Sequence, residues 1–252
     1  MGIGGIVIGD EIIRGKREDK HMKKLIELVG ARGMRIDWCE YIGDSRERIT
    51  ATLRRSMAST DIVFSFGGIG ATPDDHTRQC AATAAGVALQ LHPDAEREIR
   101  GRFGDDITPL RLKMGEFPLG SSIIPNPYNR IPGFSVGEHH FVPGFPVMAW
   151  PMIEWVLDTR YRHLFNAVPE ADDSVIVYDS AESTLTPLME TLEAKYPGLK
   201  VYSLPSMGQA GKRRHIELGV RGDPTKLAAA MDDLRSGVEK LGGRWEKPAP
   251  PA

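Results

Sequence analysis

The sequence predicts an α/β chain, a mostly parallel sheet covered by helices, followed by a small α+β unit. Three observations carry this. Apolar runs alternate with amphipathic stretches through the first half, which is the pattern of strand-helix units. Glycines follow one strand-like run at once, in FGGIGATPDD, where an open sheet of this kind binds ligands. Composition then shifts at NAVPEADD, residues 166–173, a polar segment suited to a linker.

Taken in order, residues 3–8 read as a buried strand. Residues 20–31 place Met22, Leu25, Ile26, Leu28 and Val29 at helical spacing and stop before Gly33. Residues 34–41 are expected as a second strand, and residues 45–57 as an amphipathic helix with Ile49, Leu53 and Met57 four apart. DIVFSF, residues 61–66, is the most strand-like run, and a helix is expected over 75–85. A charged, partly helical stretch follows over 92–114. Residues 117–145 are rich in Pro and Gly and read as short strands and loops, and residues 151–161 as the closing helix. The first domain is drawn at 1–165.

A second domain is drawn at 173–245. Strands are expected over 175–178, 200–204 and 215–220, and helices over 185–195 and 224–241. That order, β, α, β, β, α, suits a ferredoxin-like sandwich. The tail 246–252, ending KPAPPA, is expected to be disordered.

Composition narrows the function. With 32 basic and 34 acidic residues the formal charge is -2, which leaves no basic surplus for a nucleic-acid backbone or an anionic membrane. Neither is expected as a partner. The two cysteines, Cys39 and Cys80, lie in no CxxC or Cys/His cluster, so free thiols are expected rather than a zinc site or disulfide. MGIGGIVIGDEI has neither a basic lead nor a cleavage site and reads as a strand rather than an export signal, so a cytoplasmic protein is expected. No GxSxG elbow or HExxH occurs, and the adjacent His139 and His140 do not share a helical face, which argues against serine- and zinc-hydrolase chemistry.

The informative stretch is SFGGIGATPDDHT. Gly67, Gly68 and Gly70 allow close backbone approach, and the helix behind them offers free N–H groups to a phosphate. The spacing is neither a Walker loop nor GxGxxG. Asp74 and Asp75 at the helix entrance would repel a phosphate unless a divalent cation bridged them. The alternative is a tight turn with one aspartate capping the helix. Asp44, in YIGDSRERI, falls on the same sheet edge, with a capping box to Glu47 as its alternative role. The first loop adds Asp10, Glu11 and Asp19 beside Arg14, Lys16, Arg17 and Lys20, which could give a phosphate cationic contacts. Pro143, Gly144 and Pro146 fix a rigid turn.

Together IGDEIIRGKREDKH, YIGDSRERI, FGGIGATPDDHTRQ and VPGFPVMAWPM resemble the molybdopterin-binding fold family, shared by molybdopterin adenylyltransferases and the amino-terminal part of competence-damage-inducible protein A. The resemblance covers residues 3–161. The second unit is similar to the small middle domain of the competence-damage-inducible type. The chain ends at Ala252, before the deamidase domain that completes many such proteins, so nicotinamide-nucleotide deamidation is not expected.

The resemblance implies a three-layer α/β/α fold that binds molybdopterin or an adenine nucleotide. It places Asp75 on the aspartate essential in the adenylyltransferases and Asp44 on the aspartate of the preceding strand-helix loop. Gly67, Gly68, Gly70, Thr72, Asp74 and Thr77 fall on the rest of the motif. It implies Mg²⁺ or another divalent cation, held by Asp75 and Asp74, and a homo-oligomer, dimer or trimer. Two departures stand out: GDEIIRGKREDK replaces a serine-rich turn, and Val147 and Met148 follow GFP where GxPxEM is common. The expected site is therefore an edge formed by Asp10, Glu11 and Asp19, by Asp44, by the glycine-aspartate loop, and by Pro143, Gly144 and Pro146. The expected activity is hydrolysis of ADP-ribose-like or FAD-like diphosphates, with adenylyl transfer to molybdopterin, or ligand binding without turnover, as alternatives.

Overall fold

Residues Ile3–Ile8 form β1, buried along its whole length, and its alternating side chains feed two different cores. Ile3 and Val7 pack with Met22, Leu25 and Val29, whereas Ile6 and Ile8 pack with Ile42, Ile49 and Leu53. A strand buried on both faces requires a helical layer on each. The structure, a computed structural model, describes residues 1–167, 170–208 and 213–248. The chain divides into two compact units, Met1–Ala167 and Val168–Ala252.

In the first unit β1 is followed by α1 (Asp10–Ile13), α2 (His21–Gly30), β2 (Trp38–Ile42), α3 (Arg46–Met57), β3 (Ile62–Phe66) and α4 (Thr77–Ala85). Then come β4 (Leu89–Leu91), α5 (Pro93–Phe103), α6 (Pro109–Leu112), β5 (Glu116–Pro118), β6 (Ser122–Ile124), β7 (Gly133–Val136), β8 (His139–Val142) and α7 (Pro146–Arg160). The six-stranded sheet runs β2-β1-β3-β8-β7-β6, with β4 and β5 forming a separate pair. β2, β1, β3 and β8 are parallel, β7 returns antiparallel to β8, and β6 is antiparallel to β7. Helices α2 and α7 cover one face, and α3, α4 and α5 the other. The chain leaves β1 toward β2 on one side and comes back to β3 on the other, so strand order reverses between β1 and β3. That reversal opens a crevice at the carboxyl edge, the usual ligand position in open α/β sheets.

Three expectations need correction here. The second strand begins at Trp38 rather than residue 34, because the chain first anchors itself at Asp37, whose N–H donates to the Ile3 carbonyl and whose carboxylate accepts from the Ile3 N–H. The closing helix begins at Pro146, not residue 151. Proline at the first helical position loses no hydrogen bond, and Pro151 is carried inside the same helix. The fourth helix begins at Thr77 rather than residue 75, since Asp75 is used in the turn before it.

A buried polar chain ties β7 and β8 to α7. The Ser135 hydroxyl lies 2.8 Å from His140 Nδ1, and His140 Nε2 lies 2.6 Å from the Tyr161 hydroxyl, which donates to Glu138. Burial pushes the His140 imidazole down to about 3 and that of His139, bonded to Ser56, down to about 4. Both are neutral core residues.

The second unit comprises β9 (Ala171–Tyr178), α8 (Glu182–Lys195), β10 (Lys200–Ser206), β11 (His215–Gly222), α9 (Pro224–Lys240) and β12 (Arg244–Glu246). Its strands run β10-β11-β9-β12, every pair antiparallel, the order of a ferredoxin-like sheet. Val175, Val177, Leu218 and Val220 meet Leu185, Leu192, Leu234 and Val238 in its core. The sixth element reaches Glu246, the first residue of the expected tail, which pairs with Ile176. Residues 249–252 lie outside the described residues. Among the described residues no helix is long and apolar enough to cross a membrane.

Candidate active site

The loops leaving β1, β2, β3 and β8 surround a cleft of about 420 Å³. Glu11, Asp44, Gly67, Gly68, Gly70, Thr72, Asp74, Asp75, Pro143 and Gly144 line it, as does Arg17 from the first loop. Asp10, Asp19 and Thr77 stand behind the walls and hold them, and Pro146 lies outside the lining.

The glycine loop is built from beneath. Gly67 and Gly68 have φ of 97° and 68°, and a Cβ on Gly68 would fall 2.2 Å from Thr77 Oγ1. Thr77 is fully buried there; its hydroxyl donates to the Gly67 carbonyl at 3.0 Å and its N–H to the Gly68 carbonyl at 2.9 Å. Among the described residues, Gly68, Ile69, Gly70 and Ala71 commit none of their N–H groups to the loop's own bonds, which leaves a run of donors.

The two capping alternatives are settled by geometry. Ser45, not Asp44, caps α3 by accepting from the Arg48 N–H, and α4 has His76 at its N-cap position with no side-chain cap bond. Asp75 instead accepts from the Thr72 N–H at 2.8 Å and from its hydroxyl, closing the turn and leaving its second oxygen outside that bond. Asp74 is held below the ordinary carboxylate range by the Thr72 hydroxyl and its own backbone N–H. Asp44 accepts from the Asp10 N–H at 2.8 Å while Asp10 accepts from the Asp44 N–H at 3.2 Å, a reciprocal clasp between the β1 and β2 loops. Burial raises the Asp44 pKa against that hydrogen bond, and the charges of Asp10, Glu11 and Asp74 raise it further.

The other wall-holders work alike. Asp19 accepts from the N–H groups of His21 and Met22 at the start of α2, and from the Tyr41 hydroxyl. His21 packs its ring against Phe66 at a tilt of 32° and places Nε2 3.2 Å from the Gly144 carbonyl. Pro146 is the first residue of α7. Arg14 pairs with Asp10 at 2.7 Å, so of the first-loop cations it is Arg17 that reaches the cleft lining.

Sequence reasoning missed two groups. Arg78, on α4 and 2% exposed, donates to the carbonyls of Gly70, Lys113 and Glu116. It joins the glycine loop to the segment carrying Met114, which also lines the cleft. Its only sequence signal was an arginine one residue past the motif, indistinguishable from a solvated one. The second group, Asn126, Asn129, Ile131, Pro132, Phe145 and Met148, belongs mainly to the loop entering β7. No local pattern announces it, because it reaches the site only through the antiparallel return of β7 beside β8.

A mostly parallel three-layer sheet with a ligand cleft at its reversal point, built on a glycine-aspartate loop, defines a molybdopterin-binding-fold protein. The chain belongs to that family: the family model described as a probable molybdopterin binding domain matches residues 4–163. Over nearly its whole length it is similar to CinA-like proteins of Anaeromyxobacter, at 30% identity for strain Fw109-5 (96% of this chain, 64% of that one) and 32% for strain K (97% and 65%). It spans just under two thirds of the length of those relatives. Protein Ta0487 of Thermoplasma acidophilum is 27% identical over 94% of this chain and 93% of its own. The crystal structure of a protein CinA of unknown function from Thermoplasma acidophilum matches with a TM-score of 0.58 at 26% identity, covering 63% of this chain and 98% of that one.

Proposed function

We propose that this protein binds an adenine nucleotide through its diphosphate and hydrolyses the pyrophosphate bond of an ADP-ribose-like or FAD-like substrate with help from a divalent cation. The carrying observation is the meeting, at one sheet edge, of the uncommitted N–H groups of residues 68–71 with the carboxylates of Glu11, Asp44, Asp74 and Asp75. The N–H groups suit phosphate oxygens and the carboxylates do not, so such a ligand calls for a cation between them.

Among the described residues no three His, Cys, Asp or Glu side chains form a ready metal cage. Mg²⁺ needs none, since it commonly takes one or two carboxylates, several waters and the phosphates themselves. Asp74 and the second oxygen of Asp75 fit that role, with Asp44 close enough to feel the charge of Asp74. The cation would supply charge neutralisation for the diphosphate.

Asp44 is the candidate base. A carboxyl raised by burial and by like charges holds a proton better near neutral pH than an ordinary one. It accepts a proton from water as the water oxygen attacks a phosphorus; the bridging P–O bond breaks and the second phosphate leaves. ADP-ribose and water thereby give AMP and ribose 5-phosphate. Association into a dimer or trimer belongs to the same reading, with β2 as a free sheet edge.

The test is product chromatography with ADP-ribose, FAD, or ATP plus molybdopterin, with Mg²⁺, Co²⁺ or chelator. AMP release from ADP-ribose or FAD, lost in Asp44→Asn and Asp75→Asn, is expected. Adenylylated molybdopterin would replace hydrolysis by transfer, and no turnover would leave a binding protein.

A further inference from the structure

The strand order sets what lies along the cleft. From β2 through β1 to β3 the edge carries Asp44, Glu11 and the glycine-aspartate loop; beyond β3 come the β8 loop, with Phe145, the first turn of α7, with Met148, and then the approach to β7, with Ile131 and Pro132. One end is thus acidic and the other uncharged and mostly apolar. The uncharged end is shaped by loop 125–132, which joins β6 to β7.

That loop is braced from within. Asn126, 4% exposed, donates from Nδ2 to the Ile131 carbonyl at 2.9 Å and accepts at Oδ1 from the Tyr128 N–H at 3.0 Å, so both ends of its amide are engaged within the loop. Arg130 has a φ of 64°, a left-handed conformation that costs a side chain such as arginine strain energy. Its guanidinium is anchored to Glu98 and to the Gly101 carbonyl on α5. Asn129, just before it, is held by one end only. Its Oδ1 accepts from the Ile131 N–H at 2.9 Å, while Nδ2 has among the described residues only the Met148 sulfur, 3.6 Å away. A thioether is a weak acceptor, so a fixed amide keeps donor capacity in reserve on the cleft wall.

We infer that loop 125–132 forms the heterocycle end of the cleft and that Asn129 is a specificity-determining residue, donating from Nδ2 to a ring acceptor atom of a nucleobase stacked among Met114, Phe145 and Met148. Thioethers are polarizable and adaptable and make favourable contacts with aromatic rings. Phe145, 57% exposed at the mouth, gives a flat face against which a ring can lie. The strained backbone at Arg130 then has a use, since it fixes the amide before the ligand arrives. This rests on the proposed phosphate site, because it orients the same ligand: phosphates on the β3 loop, base over β8 and β7.

The experiment titrates ADP and inorganic pyrophosphate, with Mg²⁺, into the full chain, wild type, Asn129→Asp and Asn129→Leu. The aspartate keeps the acceptor for Ile131 N–H and replaces the donor with a negative charge; the leucine removes donor and acceptor without adding charge. Thermal melting checks that each variant folds. Wild type is expected to bind ADP more tightly than pyrophosphate, and both variants are expected to lose about tenfold for ADP. Pyrophosphate should change by less than about twofold in Asn129→Leu. Unchanged ADP binding in both variants, or equal loss for ADP and pyrophosphate in Asn129→Leu, overturns the inference. Pyrophosphate binding with no gain from the base overturns it while leaving the phosphate site standing. Binding of neither ligand by wild type overturns both.

Discussion

Replacing Arg78 by methionine tests the architecture of the cleft most directly. The guanidinium is 2% exposed and serves three carbonyls, Gly70 at 2.6 Å, Glu116 at 3.3 Å, and Lys113. A fully buried carbonyl that loses such a donor costs roughly 1–3 kcal/mol, and these three are part-buried, so roughly 3–9 kcal/mol is the upper bound on the gross loss. Against this, methionine no longer has to bury a cation, a penalty of several kcal/mol that the carboxylates of Glu116 and Asp75 only partly offset. The net expectation is about 2–4 kcal/mol of destabilisation. It should appear in urea unfolding followed by circular dichroism as a lower midpoint for the first unit with an unchanged slope. Because Gly70 and Met114 both line the cleft, pyrophosphate binding should weaken as well, and Arg78→Lys, with one ammonium for three carbonyls, should restore less than half of the loss. A methionine variant within about 0.5 kcal/mol of wild type would refute the view that one buried cation joins these two walls.

Gly68→Ala forces a side chain into left-handed backbone, at about 1–2 kcal/mol, and drives a Cβ to 2.2 Å from Thr77 Oγ1. The cost should shrink when Thr77→Ala is made in the same chain, and a double-mutant cycle without coupling would count against the contact. His139 and His140 have folded pKa values depressed to about 4 and about 3, so the unfolded chain takes up more protons below about 6.5 and stability falls as pH drops from there toward those values. From pH 8 to pH 5 the loss should be about 2 kcal/mol for each, read from the urea midpoint, and a flat profile between pH 6.5 and 5 would contradict their burial as neutral groups. Chelation of divalent metal should weaken pyrophosphate binding about tenfold or more, because the ligand then faces the carboxylates unscreened. Equal binding with chelator and with Mg²⁺ would show that the N–H groups and Arg17 suffice.

Local signals were enough for much of the fold. β1 and β3 are short, mostly apolar runs buried along their length, and β3 is followed at once by glycines, so the position of the cleft edge was readable from FGGIGATPDD and its neighbours. The residue roles were readable only to the level of the loop. Asp44 and Ser45 are adjacent capable caps, and it took backbone geometry to give capping to Ser45 and free Asp44 for the cleft. Thr77, Asp10 and Asp19 belong to the right loops yet face backbone donors and carbonyls rather than the cavity, a distinction of one dihedral turn that spacing does not encode. Loop 125–132 and Arg78 were invisible for a different reason. Their place depends on β7 returning antiparallel to β8 and on α4 facing the segment after α6, contacts between residues far apart in the chain. β12, three residues long, is too short to show a period, and only its pairing with β9 reveals it.

The held carboxylates are what the proposed cation would answer to, beyond the acidity of the cleft. Free acidic side chains would swing apart into water and relieve their repulsion. Here Asp44 is tied to the Asp10 N–H and Asp75 to the Thr72 N–H, so neither can leave. The cost shows in the raised pKa of Asp44, to which burial, Asp10, Glu11 and Asp74 contribute. Backbone donors thus fix negative charge next to the uncommitted N–H groups of residues 68–71, and neither set can be satisfied by the other within the loop. On the proposed reading, a ligand bringing anionic oxygens to the amides and a cation to the carboxylates would relieve both at once, and that differential interaction would favour a metal-bound diphosphate over phosphate or metal alone.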